Sequence, residues 1–422
     1  MIETIRPGDA AYAQVAGSFA HAGSPAYVFR PRTAEEVAEA VRFAAREGLE
    51  LSVRSGGHHG AGYGTNDGGV VADLSQLNGI EVDGRRVRLG AGATWGQVAE
   101  TLAPHGLAIS SGDTRSVGVG GLLTGGGIGW MVRKYGPAVD RLVAAEVVTA
   151  SGEIVRASEQ ENADLFWAIR GGGGHAGVVT AFEVTAERES AVTFARFTYP
   201  AGQAAAVLKK WRDALRTADE GLTSTAQLFP AFGEQAPPSV VILAAYAGDD
   251  PAAVESLAAL GDLVAKDVKV VPYAEVLEDA FLPPGFQPIV RNRFASDLTD
   301  ELIDTFAEAE IPLMYREIRA IGGALNRVPA EATAFAHRDA VAMVQTVLLG
   351  TPEQHGPRLP AFEALWAALK PHVSGAYGNF LTHPTDEDAA EVYPGATGER
   401  LAAIKKVYDP ANLFARNIPL TS

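Results

Sequence analysis

The chain contains no cysteine. That absence excludes disulfides, zinc–thiolate centres, iron–sulfur clusters and every cysteine nucleophile. Positive charge is also short: 35 Lys and Arg stand against 51 Asp and Glu, a formal net charge of −16. Nucleic-acid binding draws on clustered basic side chains, so no nucleic-acid partner is expected. No apolar run approaches the ~20 residues that span a bilayer, and no membrane partner is expected. The opening "MIETIRPGDA" has neither an apolar stretch nor a cleavage pattern, which points to a cytoplasmic protein. Also missing are G-x-x-x-x-G-K-[ST], G-x-S-x-G and H-E-x-x-H. P-loop nucleotidases, α/β-hydrolases and zincins thereby lose their usual signals, and no metal is expected.

What the chain does have is glycine, 46 residues in 422, unevenly spread. Four clusters precede residue 180: Gly56-Gly57, Gly60 to Gly64, Gly118 to Gly129, and Gly171 to Gly177. Any one of them reads equally well as a tight turn. All four together favour a shared task, because glycine lets backbone N–H groups approach a ligand without side-chain obstruction. A pyrophosphate is the commonest ligand that needs this. Two of only nine histidines, His58 and His59, sit inside the first of these regions, "SVRSGGHHGAGYG".

Local patterns place the clusters between regular elements. "PRTAEEVAEAVRFAAREGLELSV" reads as a helix and a strand, with Thr33 as N-cap, Glu36 as capping-box partner and Gly48 at the end. A second helix is expected from about Trp95 to His105, and "LVAAEVVTASGEIVRAS" reads as a hairpin turning at Ser151-Gly152. A literal G-x-G-x-x-G stands at Gly172, Gly174 and Gly177. The Rossmann fingerprint follows a strand and opens a helix. Here a helix precedes the glycines and the β-branched "VVTAFEV" follows, so the order is inverted and a Rossmann NAD site is not indicated. Near Arg188 the style changes: glycine loops vanish, and amphipathic helices alternate with strand-like runs to about Val392. The last thirty or so residues hold a helix, "ERLAAIKKVY", and an irregular tail, "DPANLFARNIPL".

Four ordered stretches, "RPRTAEEVAEAVRFAAREGLELSVRSGGHHGAGYG", "VGVGGLLTGGGIGWMVRKYG", "DLFWAIRGGGGHAGVVTAFEV" and "YDPANLFARNIPL", resemble the vanillyl-alcohol-oxidase-like FAD enzymes. The nearest branch is the berberine-bridge-enzyme-like oxidases. The resemblance implies an α+β fold in three stretches. A two-part FAD-binding domain would cover 1–188, a substrate domain with an antiparallel sheet covered by helices 189–392, and a C-terminal return 393–422.

The resemblance also implies roles for individual residues. Arg54, Ser55, Gly56, Gly57, His58 and His59, with Tyr63 and Gly64 closing the loop, would wrap the FAD pyrophosphate. His58 matches the histidine bonded covalently to a flavin ring methyl, whereas His59 is expected to be a solvent- or phosphate-facing neighbour. Gly112, Asp113 and Thr114 would also meet the cofactor. Many relatives make a second link from a cysteine at the position of Thr114, so a single bond through His58 is expected here. Val117, Gly118, Gly120, Gly121 and Leu122 would pass close to the flavin, followed by Gly125 and Gly127. Gly174, Gly177 and Val179 match a segment on the adenine side, and Asn417 an asparagine near the isoalloxazine. "AYGNFL" resembles a Tyr-x-Asn-Tyr strand over the flavin, with Phe380 where a tyrosine often acts as base. Tyr377 and His337 are therefore the catalytic candidates, a packed or helix-capping histidine being the alternative for His337. The implied activity is oxidation of a small organic substrate by hydride transfer, with dioxygen as acceptor and hydrogen peroxide as product. A flavin dehydrogenase with another acceptor, or a non-redox or binding protein that uses FAD structurally, are the alternatives.

Overall fold

The computed structural model describes residues 2–233, 236–279 and 281–420. Its first sheet holds β1 (Glu3–Ile5), β2 (Tyr27–Arg30), β3 (Leu51–Arg54) and β4 (Val70–Asp73) in the order β1-β2-β4-β3. β4 runs parallel to both β2 and β3, while β1 is antiparallel to β2. The helix Ala34–Glu47 makes the crossover from β2 to β3 and buries Val37, Ala38, Ala40, Val41 and Ala44. Thr33 caps it by accepting from the Glu36 N–H at 3.3 Å, and Gly48 ends it in the left-handed region. The expected capping box is modified: the Glu36 carboxylate accepts from the Arg32 N–H at 2.8 Å, one residue before the cap. Complete boxes lie further on, the first where Thr94 and Gln97 reciprocate at the start of the helix Trp95–Leu102.

The second sheet is antiparallel. It holds β5 (Ile80–Asp83), β6 (Arg86–Gly90), β7 (Leu142–Val148), β8 (Ile154–Ser158) and β9 (Val178–Thr185), in the order β5-β6-β9-β7-β8. The β7–β8 hairpin turns at Gly152, whose N–H returns to Thr149 O at 2.9 Å, as the sequence indicates. The two sheets share one core, in which Trp95, Leu102, Phe166 and Phe182 are fully enclosed.

The third sheet holds β10 (Val192–Pro200), β11 (Leu222–Phe229), β12 (Ser239–Tyr246), β13 (Ala265–Val271), β14 (Ile289–Ala295), β15 (Met314–Ala320) and β16 (Ala342–Leu348). Its order is β13-β10-β12-β11-β15-β16-β14, antiparallel throughout. Successive strand residues point to opposite faces. One face is closed by the helices Ala204–Thr217, Asp300–Glu308 and Leu359–Leu369, whose Trp211, Phe306, Phe362 and Trp366 pack on Phe197, Ile242, Ile318 and Val344. Their indole N–H groups are satisfied from the sheet: Trp211 donates to Ser224 Oγ and Trp366 to Thr346 Oγ1, each at 2.9 Å. The other face looks toward the first two sheets. The architecture is α+β, with an antiparallel sheet covered by helices beside the glycine-rich half.

From Gly375 onward the chain runs back between the halves, and Ala376, Leu381, Ala389 and Val392 pack in the core of the first two sheets. The stretch "AYGNFL", expected as a strand, is instead an extended residue followed by a 3-10 turn over Gly378–Phe380. Asn292 on β14 explains the difference. Its amide takes the place of a strand partner, accepting from Tyr377 N at 2.7 Å and donating to Tyr377 O at 3.0 Å. After the helix Ala396–Tyr408, the buried Asp409 carboxylate accepts from the N–H groups of Leu413 and Phe414 and pairs with Lys405. That anchors the irregular tail.

Candidate functional site

A cavity of about 410 Å³ opens between the glycine-rich loops, the 3-10 turn and the C-terminal tail. The loop after β3 forms one wall, which puts the cavity at the carboxyl end of a parallel strand, where open α/β sheets bind ligands. Every cofactor residue expected from the sequence lines it except Gly127. The loops close on one another so tightly that side chains are excluded. A Cβ on Gly56 would lie 2.3 Å from Gly118 N, and one on Gly118 would lie 2.2 Å from Gly56 N. Ser55 ties the same loops together, donating to Ala91 O at 2.5 Å and accepting from Gly120 N at 3.2 Å.

Within this frame the two histidines have different surroundings. His58 stacks on Phe19 with ring centroids 4.5 Å apart and 19° between planes. Burial lowers its pKa, opposed by a hydrogen bond to the Ser116 backbone, so the imidazole is neutral at pH 7. His59 packs against Tyr63 at 4.6 Å, and its Nδ1 accepts from Ala61 N at 3.1 Å. Burial pushes its pKa down to about 4, with repulsion from His21 adding and a hydrogen bond to the Gly378 backbone opposing. His58 thus keeps its ring fixed by stacking, while His59 is tied into the loop it belongs to.

The charged side chains that line the cavity are partnered within the protein. Arg54 is committed to protein, bonding Asp73 at 3.0 Å and Gly17 O at 2.7 Å. Arg416 holds the tail against the first loop through Gly62 O at 3.0 Å and Thr65 O at 2.7 Å. Asn417 Oδ1 accepts from Gly174 N at 3.3 Å, which joins the tail to the loop Gly171 to Gly177. Asp113 is the one carboxylate among the described lining residues, and it is paired with Arg319 at 2.6 Å. Burial alone would raise the Asp113 pKa, but the Arg319 charge and a hydrogen bond from Thr114 bring it below the usual range. Glycine-lined walls and a neutralised carboxylate suit a pyrophosphate, and two neutral histidines beside them suit an extended dinucleotide.

The two catalytic candidates end up in different places. Tyr377 lines the cavity, 3% exposed, but its hydroxyl oxygen accepts from Gly127 N and from Asn379 Nδ2, each at 3.0 Å. Gly127 therefore acts one step behind the wall. Burial raises the phenol pKa, against hydrogen bonds from Gly127, Asn379 and the Ile128 backbone. Burial therefore keeps the group a protonated phenol at pH 7, with a proton to give rather than a place to take one. His337 corrects the expectation that it faces the cavity: it is absent from the lining. Its ring packs 4.8 Å from Phe294, its Nε2 lies 3.2 Å from Val392 O, and burial pushes its pKa down to about 4. The packed alternative describes it. Phe380 lines the cavity with the Arg319 guanidinium over its ring at 5.1 Å. Phe19, Ile128, Tyr393 and Arg416 also line the cavity and carry no motif that singles them out. Only Arg416, adjacent to Asn417, had a signal within reach.

Among the described residues no group of His, Asp and Glu is placed to hold a metal, and no helix is long and apolar enough to cross a membrane. Residues 25–158 match a family described as an FAD binding domain. The chain is 33% identical to (R)-6-hydroxynicotine oxidase of Paenarthrobacter nicotinovorans, over 98% of this chain and 95% of that protein. The crystal structure of 6-hydroxy-D-nicotine oxidase from Arthrobacter nicotinovorans superposes with a TM-score of 0.90 at 30% identity, covering 100% of this chain and 98% of that one. A glucooligosaccharide oxidase from Acremonium strictum, described with a 6-S-cysteinyl, 8α-N1-histidyl FAD, shares the fold with a TM-score of 0.85 at 24% identity, covering 100% and 98%. The chain belongs to the FAD-linked oxidases of the vanillyl-alcohol-oxidase type, and it is an oxidoreductase.

Proposed function

We propose that this protein binds FAD in the glycine-lined cavity, holds it by one covalent bond through His58, and oxidises a small organic molecule: an alcohol, an amine or a specialised metabolite. Dioxygen is the proposed acceptor and hydrogen peroxide the product. The four ordered motifs support a place near the berberine-bridge-enzyme-like branch. The observation that carries the reading is His58: a neutral, stacked imidazole on the wall of a cavity built for a dinucleotide.

FAD bound there would supply the redox chemistry, taking a hydride from the substrate and passing electrons on. The chain supplies the rest. Neutral His58 offers a ring nitrogen for the bond, and Phe19 fixes the plane of its ring. The glycine loops and the tail residues Arg416 and Asn417 clamp the two ends of the cavity. Thr114 stands where relatives carry a cysteine, so the attachment is single. Tyr377 presents a hydrogen-bond donor to the cavity, and Phe380 excludes water from the same wall without moving a proton.

Acid precipitation tests the attachment. Flavin is expected to stay with the pellet in the native protein and in His59→Ala, and to leave in His58→Ala. Flavin recovered wholly in the native supernatant would refute the covalent bond. Anaerobic bleaching by substrate, followed by rapid recovery in air-saturated buffer, is expected of an oxidase. Recovery only with an artificial acceptor would make the protein a dehydrogenase.

A further inference from the structure

The seven-stranded sheet has two edges, and the chain treats them differently. At β14 the edge is closed: Phe294 exchanges backbone hydrogen bonds with Ser374, and Val290 N donates to Thr382 Oγ1 at 3.0 Å. At the opposite edge β13 pairs with β10 along its whole length, and among the described residues nothing else bonds its backbone. The strand is also open to solvent. Ala265, Lys266, Asp267, Lys269 and Val270 are exposed, and Leu263 and Val264 just ahead of them are exposed as well. An unpaired strand edge with apolar side chains in water is a template for another strand.

The residues of β13, "AKDVKVV", decide which strand fits. Two identical strands that pair antiparallel about a two-fold axis set one residue opposite its own copy. An axis through Lys266, Asp267 or Lys269 would bring like charges face to face. An axis through Val268 sets Asp267 opposite Lys269 of the second copy, Lys269 opposite Asp267, and Ala265 opposite Val271. No other centre within the strand gives both charges a partner. Neither has an ion pair within one copy among the described residues. Arg196, opposite Asp267 on β10, bonds Glu278 at 3.2 Å instead, and Lys269 lies 5.8 Å from the centre of the Phe194 ring. The two faces of the strand are sorted to match. Val268 packs on the helix-covered core, and Lys266 on that same face is held by Glu255 at 2.6 Å. The face that carries Asp267 and Lys269 is the one left with open charges.

We propose that β13 is a docking edge for a second copy of this chain, paired antiparallel about Val268 so that the two seven-stranded sheets become one. A seven-residue strand pair buries less than most stable interfaces, so the dimer forms as concentration rises. The strand runs on to Tyr273 and Glu278, which hold the wall of the cofactor cavity. Tyr273 Oη accepts from Ser111 N at 3.2 Å, and Glu278 N donates to Asp113 O at 2.8 Å. Pairing therefore braces the stretch that brings Asp113 and Thr114 to the cavity.

Sedimentation velocity of the full flavin-loaded protein at low salt, from about 1 to about 200 µM, is expected to show a monomer–dimer equilibrium. Asp267→Lys or Lys269→Asp alone sets like charges opposite each other and should weaken the dimer about tenfold or more. The double exchange should restore it to within about threefold of the native protein. Because the chain has no cysteine, one substitution gives an unambiguous cross-link. Val268→Cys should form a disulfide dimer with oxidised glutathione as the electron acceptor, since directly opposite Cα atoms lie about 4.5–5.5 Å apart. Val264→Cys should not, although Val264 is 67% exposed, because its own copy lies far along the strand. The melting temperature of each variant reports whether the fold is intact. A monomer over the whole range, single charge variants that associate like the native protein, or cross-linking as fast through residue 264 as through 268 overturns the proposal.

Discussion

Replacing Tyr377 by phenylalanine removes one oxygen and keeps the ring that lines the cavity. The structure says what that oxygen does. It accepts from Gly127 N and Asn379 Nδ2, each at 3.0 Å. Gly127 would lose the partner recorded for its N–H, while Asn379 keeps a second acceptor, Gly121 O at 3.3 Å. A buried donor left unpaired costs about 1–3 kcal/mol, and loss of one of two bonds about 0.5–1.5 kcal/mol, so Tyr377→Phe should destabilise by about 2–4 kcal/mol. With about 2.1 cal/mol/K of unfolding entropy per residue over 422 residues, the melting temperature should fall by about 2–5 °C. The rate of flavin reduction should change much less. Loss of a general base lowers a rate by roughly 10²–10⁴-fold, and a phenol that burial keeps protonated at pH 7 is not one. Differential scanning fluorimetry and anaerobic stopped-flow reduction decide together. An unchanged melting temperature with a reduction rate lowered by about 10²-fold or more would refute the reasoning and restore Tyr377 as the base.

Buried histidines set a pH dependence. His59, His175 and His337 are pushed down to about 4, 3 and 4, in each case mainly by burial. In the unfolded chain they titrate near ~6.5, so between that pH and about 4 the unfolded state binds more protons and stability falls as pH falls. The slope from three such groups reaches up to about 4 kcal/mol per pH unit, and urea midpoints at pH 7, 6 and 5 should show a plateau above ~6.5 and a steep loss below. A flat profile over that range would mean that water reaches the rings. Thr114→Cys in a His58→Ala background should restore acid-stable flavin through the thiol, since Thr114 lines the cavity. Mass spectrometry of the pelleted protein checks it, and an unmodified cysteine in flavin-loaded protein would move residue 114 out of reach of the ring.

The parts of the fold that were legible in the sequence are those governed by local chemistry. Thr33 and Gly48 bound a helix because a hydroxyl and a left-handed glycine satisfy orphan backbone groups whatever else the chain does. The inverted G-x-G-x-x-G was legible for the same reason: the helix Ala163–Ile169 before it and β9 after it are both locally encoded. The loops that line the cavity were legible as glycine, since closing loops as near as Gly56 and Gly118 tolerates no side chain. Phe19 left no trace, because stacking on His58 requires a chain crossing that no local pattern announces.

The stretch "AYGNFL" shows where local reading stops. Its residue types suit a strand, yet the backbone of Tyr377 is paired with a side chain, Asn292, from 85 residues away in the sequence. One asparagine thereby does two things at once. It ends a row of polar residues, Gln227, Glu317 and Gln345, across the third sheet, and it fixes Tyr377, whose hydroxyl in turn holds Gly127 beneath the cavity wall. The helix-backed sheet and the glycine loop that would hold the cofactor are joined through that chain of hydrogen bonds, and again by the Arg319–Asp113 ion pair. Buried polar networks of this kind fix geometry only when every member is satisfied. In this one the Asn292 amide and the Tyr377 backbone and hydroxyl are all partnered.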